Sequence, residues 1–266
     1  MKKMNLKVNA VAVLFAGALF VPAAMASPVP VATWNFNNTL AASESGVTAL
    51  TAIDPLGANS FMTDSVFGVS QTVYRFDGNR LPPSQQAGLL VNTTGLLNND
   101  NAYSVDMVFQ FESDDSTWEN IFGVSNRQSD NAFYVEPDNH LQVYPAGSGP
   151  NLFTFGEYHR VSLTNDGSGH VTSYLDGVYQ FDLATTVMDF SSYSAENPDR
   201  LIHFFADNLV GGGQGEFADG RVAIIRLYDR ELSPTEIAAI PEPETYAMLL
   251  TGLGLMSFIA HRRKNI

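Results

Sequence analysis

Two groups of side chains in this sequence could do chemistry. Asp77 and Asn79, Asp207 and Asn208, and Asp219 are hard-oxygen donors set in turn-rich stretches. Calcium takes six to eight such oxygens from carboxylates, amides and backbone carbonyls. These residues could serve it if the turn after Arg75-Phe76 and the loop from Ala206 to Gly220 meet at one rim. No EF-hand spacing is present, and Asp-Gly and Asn-rich turns account for the same residues without a metal. The second group is aromatic: Trp118, Tyr134, Tyr144 and Tyr174, with Asp138, Asn139 and Gln142 beside them. Such rings can stack on sugar C–H groups while carboxylates and amides orient the hydroxyls, but aromatic rings also fill cores. Trp34, on the first strand candidate, reads as core.

Other constellations are missing. His140, His159, His170 and His203 are scattered without metal-ligand spacing, and with no cysteine in the chain zinc is disfavoured. No Gly-x-Ser-x-Gly elbow occurs. The Gly211 to Gly215 stretch opens no helix and reads as a flexible loop rather than a phosphate cradle. His159 is expected to pack or pair within a hairpin.

The elements that must position these residues are short alternating runs. In AYSVDMVFQFE, Tyr103, Val105, Met107, Phe109 and Phe111 share one face; Ser104, Asp106, Gln110 and Glu112 lie mainly on the other. One face must be core and the other solvent or a groove. Eleven further runs read as strands: 31–36, 72–76, 87–91, 119–124, 131–136, 140–144, 158–164, 170–176, 178–183, 201–206 and 221–228. Twelve short strands suit two stacked antiparallel sheets. Asn165-Asp166-Gly167 and Asp176-Gly177 supply hairpin turns. One short helix is expected, capped by Ser233, with Pro234 in the first turn, Glu236 completing a capping box, and Ile237 and Ile240 facing the sandwich.

Charge divides the 266-residue chain. Its net charge is -14, yet residues 27–240 hold eight Arg and no Lys against 26 Asp and Glu, a net of -18. A surface this acidic repels a polyanion, so nucleic acid is excluded as a partner. Every lysine lies near an end: Lys2, Lys3, Lys7 and Lys264. Residues 1–26 form a basic start, an apolar run and a small-x-small site at Ala24-Met25-Ala26, the secretory signal pattern, with cleavage expected before Ser27. Without cysteine, no disulfide framework can hold the exported fold, and the core must suffice. At the other end, Tyr246 to Ala260 is an apolar run of 15 residues, about 22 Å as a helix and short for a permanent span. The basic residues after it would keep that end in the cytoplasm.

Pro241, Glu242 and Pro243, the Gly-Leu-Gly at 252–254 and the basic Arg262, Arg263 and Lys264 resemble the PEP-CTERM sorting signal of Gram-negative bacteria. That resemblance implies recognition by an exosortase near the tripeptide, an inner-membrane-anchored precursor that is only transiently in the membrane, and then display at the cell surface or outside the cell in an exopolysaccharide-making organism. Residues 27–240 resemble a laminin-G-like, concanavalin A-like domain in three places: YRFDGN at 74–79, YHRVSLTNDGSGHVTSYLDGVYQ from Tyr158, and the closing DGRVAIIRLYDRELSPTEIAAI from Asp219. The resemblance implies an all-β jelly-roll sandwich of two antiparallel sheets, glycan or protein ligands, and often calcium at the sandwich rim.

Some relatives of that kind cleave glucans, with a Glu-x-Asp-x-x-Glu or Glu-x-Asp-x-Glu string. Retaining hydrolysis needs two carboxylates about 5 Å apart. The nearest string here, Glu136-Pro137-Asp138, lacks the third acid, and Pro137 would break a central ladder, so it reads as a turn. The expectation is therefore a signal peptide (1–26), a laminin-G-like domain (27–240) and a sorting segment (241–266) with a span at 246–260. Such a protein would bind, rather than cleave, a glycan or matrix protein of the biofilm. A glycan hydrolase and a purely structural matrix component are the alternatives.

Overall fold

A computed structural model describes residues 26–241 except 99, 114–115, 211–215 and 217. The signal peptide, the Gly211 to Gly215 loop, and Glu242, Pro243 and the basic tail of the sorting segment lie outside the described residues. The strands are β1 (Ala32–Trp34), β2 (Thr51–Ile53), β3 (Ser60–Val66), β4 (Val69–Phe76), β5 (Gly88–Asn92), β6 (Ala102–Phe111), β7 (Glu119–Gly123), β8 (Phe133–Val135), β9 (His140–Val143), β10 (Gly147–Leu152), β11 (His159–Asp166), β12 (His170–Leu175), β13 (Val178–Ala184), β14 (Leu201–Phe204) and β15 (Gly220–Tyr228), followed by helix α1 (Pro234–Ala239). They form two antiparallel sheets. One runs β13-β12-β11-β6-β15-β4-β3, with β1 added on β15; the other runs β10-β9-β8-β7-β14-β5-β2. This is the two-sheet sandwich that the alternating runs imply.

Alternation decides what each face does. Tyr103, Val105, Met107, Phe109 and Phe111 of β6 join Trp34, Phe76, Phe153 and Phe205 in one core between the sheets. Phe76 and Phe205 stack at 3.9 Å between centroids, tying the two sheets together. Each such fully buried ring contributes roughly 1.5–3 kcal/mol, so a core of this size can stand without disulfides.

The opposite face of the larger sheet departs from expectation. The sequence pattern leaves Ser104 and Asp106 facing solvent or a groove, yet both are 0% exposed. Asp106 is held by Arg160 Nε at 2.7 Å, Arg226 NH1 at 2.7 Å and the Ser162 hydroxyl at 2.6 Å. Arg160 also donates to the carbonyls of Ile237 (2.7 Å) and Ile240 (3.2 Å), and so seals the end of α1 over this face. The capping box forms as the sequence implies: Glu236 N–H donates to the Ser233 hydroxyl and Ser233 N–H to the Glu236 carboxylate. Tyr174 and Tyr228 pack beneath Leu232, Ile237 and Ile240.

The turns behave as their residues require. Asp176 and Gly177 adopt φ of 51° and 75°, the left-handed pair of a two-residue hairpin. His159 pairs its ring with Asp176 at 2.7 Å, within the hairpin as expected. Glu136 to Asn139 is a turn, not a strand: Asn139 N–H donates to Glu136 O at 2.7 Å. Three strands escape the sequence pattern, β2, β3 and β10, and each lies at a sheet edge. Edge strands bury little, so their faces need not alternate cleanly.

Candidate ligand cleft

The smaller sheet carries the site on its outer face. Phe133 and Val135 of β8 point into the core, which turns Tyr134 outward beside its cross-strand partners Asn120 and Gln142. Trp118 stands just ahead of β7 and Tyr144 just after β9. Trp118 meets Tyr134 and Tyr144 edge to face, with centroids 5.6 and 5.3 Å away. Trp118 and Tyr144 are half-buried and Tyr134 is buried. Together with Asp130 and Glu216 the three rings line a cleft of about 210 Å³.

Carboxylates converge beneath the rings. Asp130 comes from the loop between β7 and β8, and Asp207 and Glu216 from the connection between β14 and β15. Phe205 turns into the core at φ 67°, which swings the following residues across the sheet's outer face. Gln86 and Arg127 then lock the backbone: Asp207 N–H donates to Gln86 Oε1 at 2.9 Å, and Arg127 Nε donates to Asp207 O at 2.5 Å. The Tyr134 hydroxyl lies 2.9 Å from Asp207 Oδ1 and 2.8 Å from Asp130 O. Asn208 Nδ2 donates to Asp130 Oδ1 (3.0 Å) and Asp207 Oδ2 (2.9 Å).

Carboxylate oxygens of Asp130, Asp207 and Glu216 all lie within 4.8 Å of one another. Burial, and then contact with Asp207, pushes the Glu216 carboxyl well above the usual carboxylate range. Burial also raises Asp207, against the lowering contacts from Glu216, Asn208 and Tyr134. Three acids in one shielded spot call for a positive partner. Arg127 is not a partner to the carboxylates in the bonds it makes: besides Asp207 O, it donates to Pro83 O and Gln86 Oε1. Two oxygens at the cluster, Glu216 Oε2 and Asn208 Oδ1, are buried without a hydrogen-bond partner. All the donors are hard oxygens, so the residues present fit a hard divalent cation such as calcium.

Asp207 and Glu216 do not have the spacing of a glycosidase pair. Paired glycosidase carboxyls stand about 5–5.5 Å apart for retention and about 6.5–9.5 Å for inversion, with substrate or water between them. Asp207 and Glu216 instead contact each other directly.

The structure redistributes the residues singled out in the sequence. Trp118, Tyr134 and Tyr144 come together, and Gln142 lies on the same face beside Tyr134. Asp138 and Asn139 fall on the β8–β9 turn, where Asn139 at φ 67° makes the bend. Tyr174 does not join them: it is 5% exposed, on the other sheet under α1. The metal set is split. Asp207 and Asn208 are in the cluster. Asp77 is drawn instead to Arg75 NH1 at 2.5 Å, because the turn after β4 points it along the outer face of the larger sheet. Asn79 closes its own turn through Gln85, and the Asp219 backbone carbonyl accepts from Glu112 N–H beside β6. Asp130 and Glu216 carry no motif in the sequence. Asp130 sits in a polar Gln-Ser-Asp-Asn run indistinguishable from a turn, and Glu216 follows the glycine stretch.

Residues 83–238 match the family model described as the concanavalin A-like lectin/glucanases superfamily. The chain belongs to this superfamily. Residues 239–264 match the PEP-CTERM protein-sorting motif, which implies an exported, membrane-processed protein handled by an exosortase. No curated protein sequence matches. Among solved structures, this superfamily member is similar to domain 4 of AbnA, a GH43 extracellular arabinanase from Geobacillus stearothermophilus solved with arabinotriose: TM-score 0.55, 19% identity, 78% of this chain and 96% of that one. It is also similar to botulinum neurotoxin type C, whose cell entry is described as dependent on interaction with two ganglioside molecules: TM-score 0.53, 13% identity, 79% of this chain and 50% of that one. At these identities the likeness shows the fold. That fold is shared by carbohydrate-binding and hydrolase domains.

One pH effect arises from the same face. His203 of β14 is 1% exposed with its ring over Gly123, and burial, then Arg127, lowers its pKa to about 3. Its folded pKa is below the ordinary 6.5, so the unfolded chain binds the extra proton first. The stability it contributes is complete above about pH 6.5 and falls as pH drops toward 3. His203→Gln is expected to flatten the fall in melting temperature between pH 7 and pH 4; an unchanged slope would remove His203 from the account.

Proposed function

We propose that the protein is an exported, surface-sorted glycan-binding protein of the exopolysaccharide matrix. A saccharide lies against Trp118 and Tyr144 and is oriented by polar groups around Asp130 and Glu216, over a calcium ion held by the carboxylates of Asp130, Asp207 and Glu216, with Asn208 joining once its amide turns Oδ1 in place of Nδ2 toward them. The observation that carries this reading is the meeting of half-buried aromatic faces with a shielded carboxylate cluster in one cleft of about 210 Å³. Rings supply apolar area to sugar C–H groups, while the cluster supplies fixed charge for hydroxyls. The bound ion would neutralise the cluster, fix the loops that carry it, and offer its remaining coordination positions to hydroxyl oxygens. Domain 4 of AbnA, with its arabinotriose, gives a structural precedent for an oligosaccharide on this fold. The direct Asp207–Glu216 contact favours binding over hydrolysis.

A glycan array with the 27–240 domain, run with calcium and with EDTA, tests this. Binding is expected with calcium and is expected to weaken with EDTA; no signal under either condition would refute the reading. Trp118→Ala is expected to weaken the best array ligand by about 10- to 100-fold, the loss typical of a central aromatic contact. Retained affinity in that variant would place the ligand elsewhere.

A further inference from the structure

Both ends of the described chain leave the fold at one spot. The Ser27 hydroxyl donates to Ala239 O at 2.9 Å, so the expected start of the mature chain touches the last turn of α1. Ile240, the next residue, is 4% exposed, and its carbonyl is held by Arg160. Pro241, where the sorting tripeptide begins, lies between two shallow grooves, one shared with Ser27 and Pro28 and one with Gly177 and Val178. All of this sits on the outer face of the larger sheet, whereas the aromatic cleft sits on the outer face of the smaller one.

Chain length makes this placement consequential. The apolar run of the sorting segment starts at Tyr246, six residues beyond Ile240. Six residues reach at most about 20 Å even when fully extended. A domain of this size has a radius of gyration of about 17 Å and so a diameter of roughly 45 Å. The tether is too short to carry the far sheet round to the membrane. The rim of the tethered face also presents apolar side chains: Val178 and Tyr179 are each 54% exposed and Val29 is 84% exposed.

We propose that the outer face of the β13–β3 sheet around Pro241 rests on the lipid bilayer while the sorting segment is attached, with Val178 and Tyr179 at the lipid interface. The cleft on the opposite sheet points away from the membrane and is open to ligand before processing. This rests on the sorting segment, not on what the cleft binds.

The chain has no cysteine, so single-cysteine variants label cleanly. Full-length V178C, Q128C and L255C chains would carry an environment-sensitive fluorophore in phosphatidylethanolamine–phosphatidylglycerol vesicles containing spin-labelled lipid. Gln128 is exposed in the β7–β8 loop that carries Asp130 of the cleft, and Leu255 lies within the apolar run. Expected are strong quenching at 255, at least about twofold quenching at 178, and none at 128. Equal quenching at 178 and 128, the reverse order, or quenching at 255 alone would overturn the proposal. Absence of quenching at 255 would remove its premise and overturn it as well.

Discussion

The Asp207→Asn variant is expected to lose calcium affinity on the order of 100-fold, read by isothermal titration, without losing its fold. Asparagine keeps the size of the side chain and still offers the Tyr134 hydroxyl an oxygen, replacing the 2.9 Å bond to Asp207 Oδ1. It removes one of three carboxylates whose oxygens lie within 4.8 Å. Without calcium that removal relieves repulsion: Asp207 and Glu216 both have raised pKa values, with burial the largest cause and nearby acids adding to it. The variant's melting temperature in EDTA is therefore expected to equal or exceed the parent's. In calcium the order reverses, because the parent gains about 2.7 kcal/mol at a free concentration 100 times its dissociation constant and the variant gains little. This change of sign separates a cation site from a buried acid pair held by a shared proton. If calcium left the parent's melting temperature unmoved, the cluster would hold a proton, not a metal.

How far such a site could be read from the sequence depends on what each residue does locally. Strand β6 was legible because its core residues Tyr103, Val105, Met107, Phe109 and Phe111 recur at every second position, whereas β15 was legible only as an apolar run, since a bulge after Val222 shifts its inward positions to Ile225 and Leu227. Helix α1 was legible because its capping box is a local bond between Ser233 and Glu236. The aromatic half of the cleft was legible in part. Trp118, Tyr134 and Tyr144 sit on or beside the neighbouring strands β7, β8 and β9, but Tyr174, an aromatic residue in a similar short run, lies on β12 of the larger sheet. The acidic half was half legible. Asp207 and Asn208 could be named as oxygen donors, but Asp130, which Asn208 bonds, lies 78 positions before Asn208 and arrives through the β7–β8 loop. Nothing in a polar turn marks it for that contact. Likewise Asp106 reads as a surface residue on an alternating strand, and Arg160, Arg226 and Ser162 on the flanking strands make its burial tolerable.

Asp106→Ala is expected to destabilise the protein by about 3–5 kcal/mol, read from the urea midpoint. The loss comes less from the attraction removed than from what remains. Arg160 and Arg226 are 3% and 7% exposed and would be left as buried cations without their shared carboxylate. Ser104, by contrast, bonds elsewhere, to Arg230 O and Leu232 N–H, and would not feel the change. Ser233→Ala, which removes only the α1 cap, is expected to cost about 1 kcal/mol and so calibrates the comparison. A value for Asp106→Ala near that of Ser233→Ala would mean that water reaches the two guanidinium groups. The functional consequence is separate from the stability loss. Arg160 holds the Ile237 and Ile240 carbonyls from the same guanidinium that meets Asp106. Once that side chain is free to turn toward solvent, the end of α1 is no longer fixed, and the six-residue tether to the apolar run lengthens by the residues that fray. In vesicles, a chain carrying V178C and D106A together is therefore expected to show weaker lipid quenching at position 178 than V178C alone.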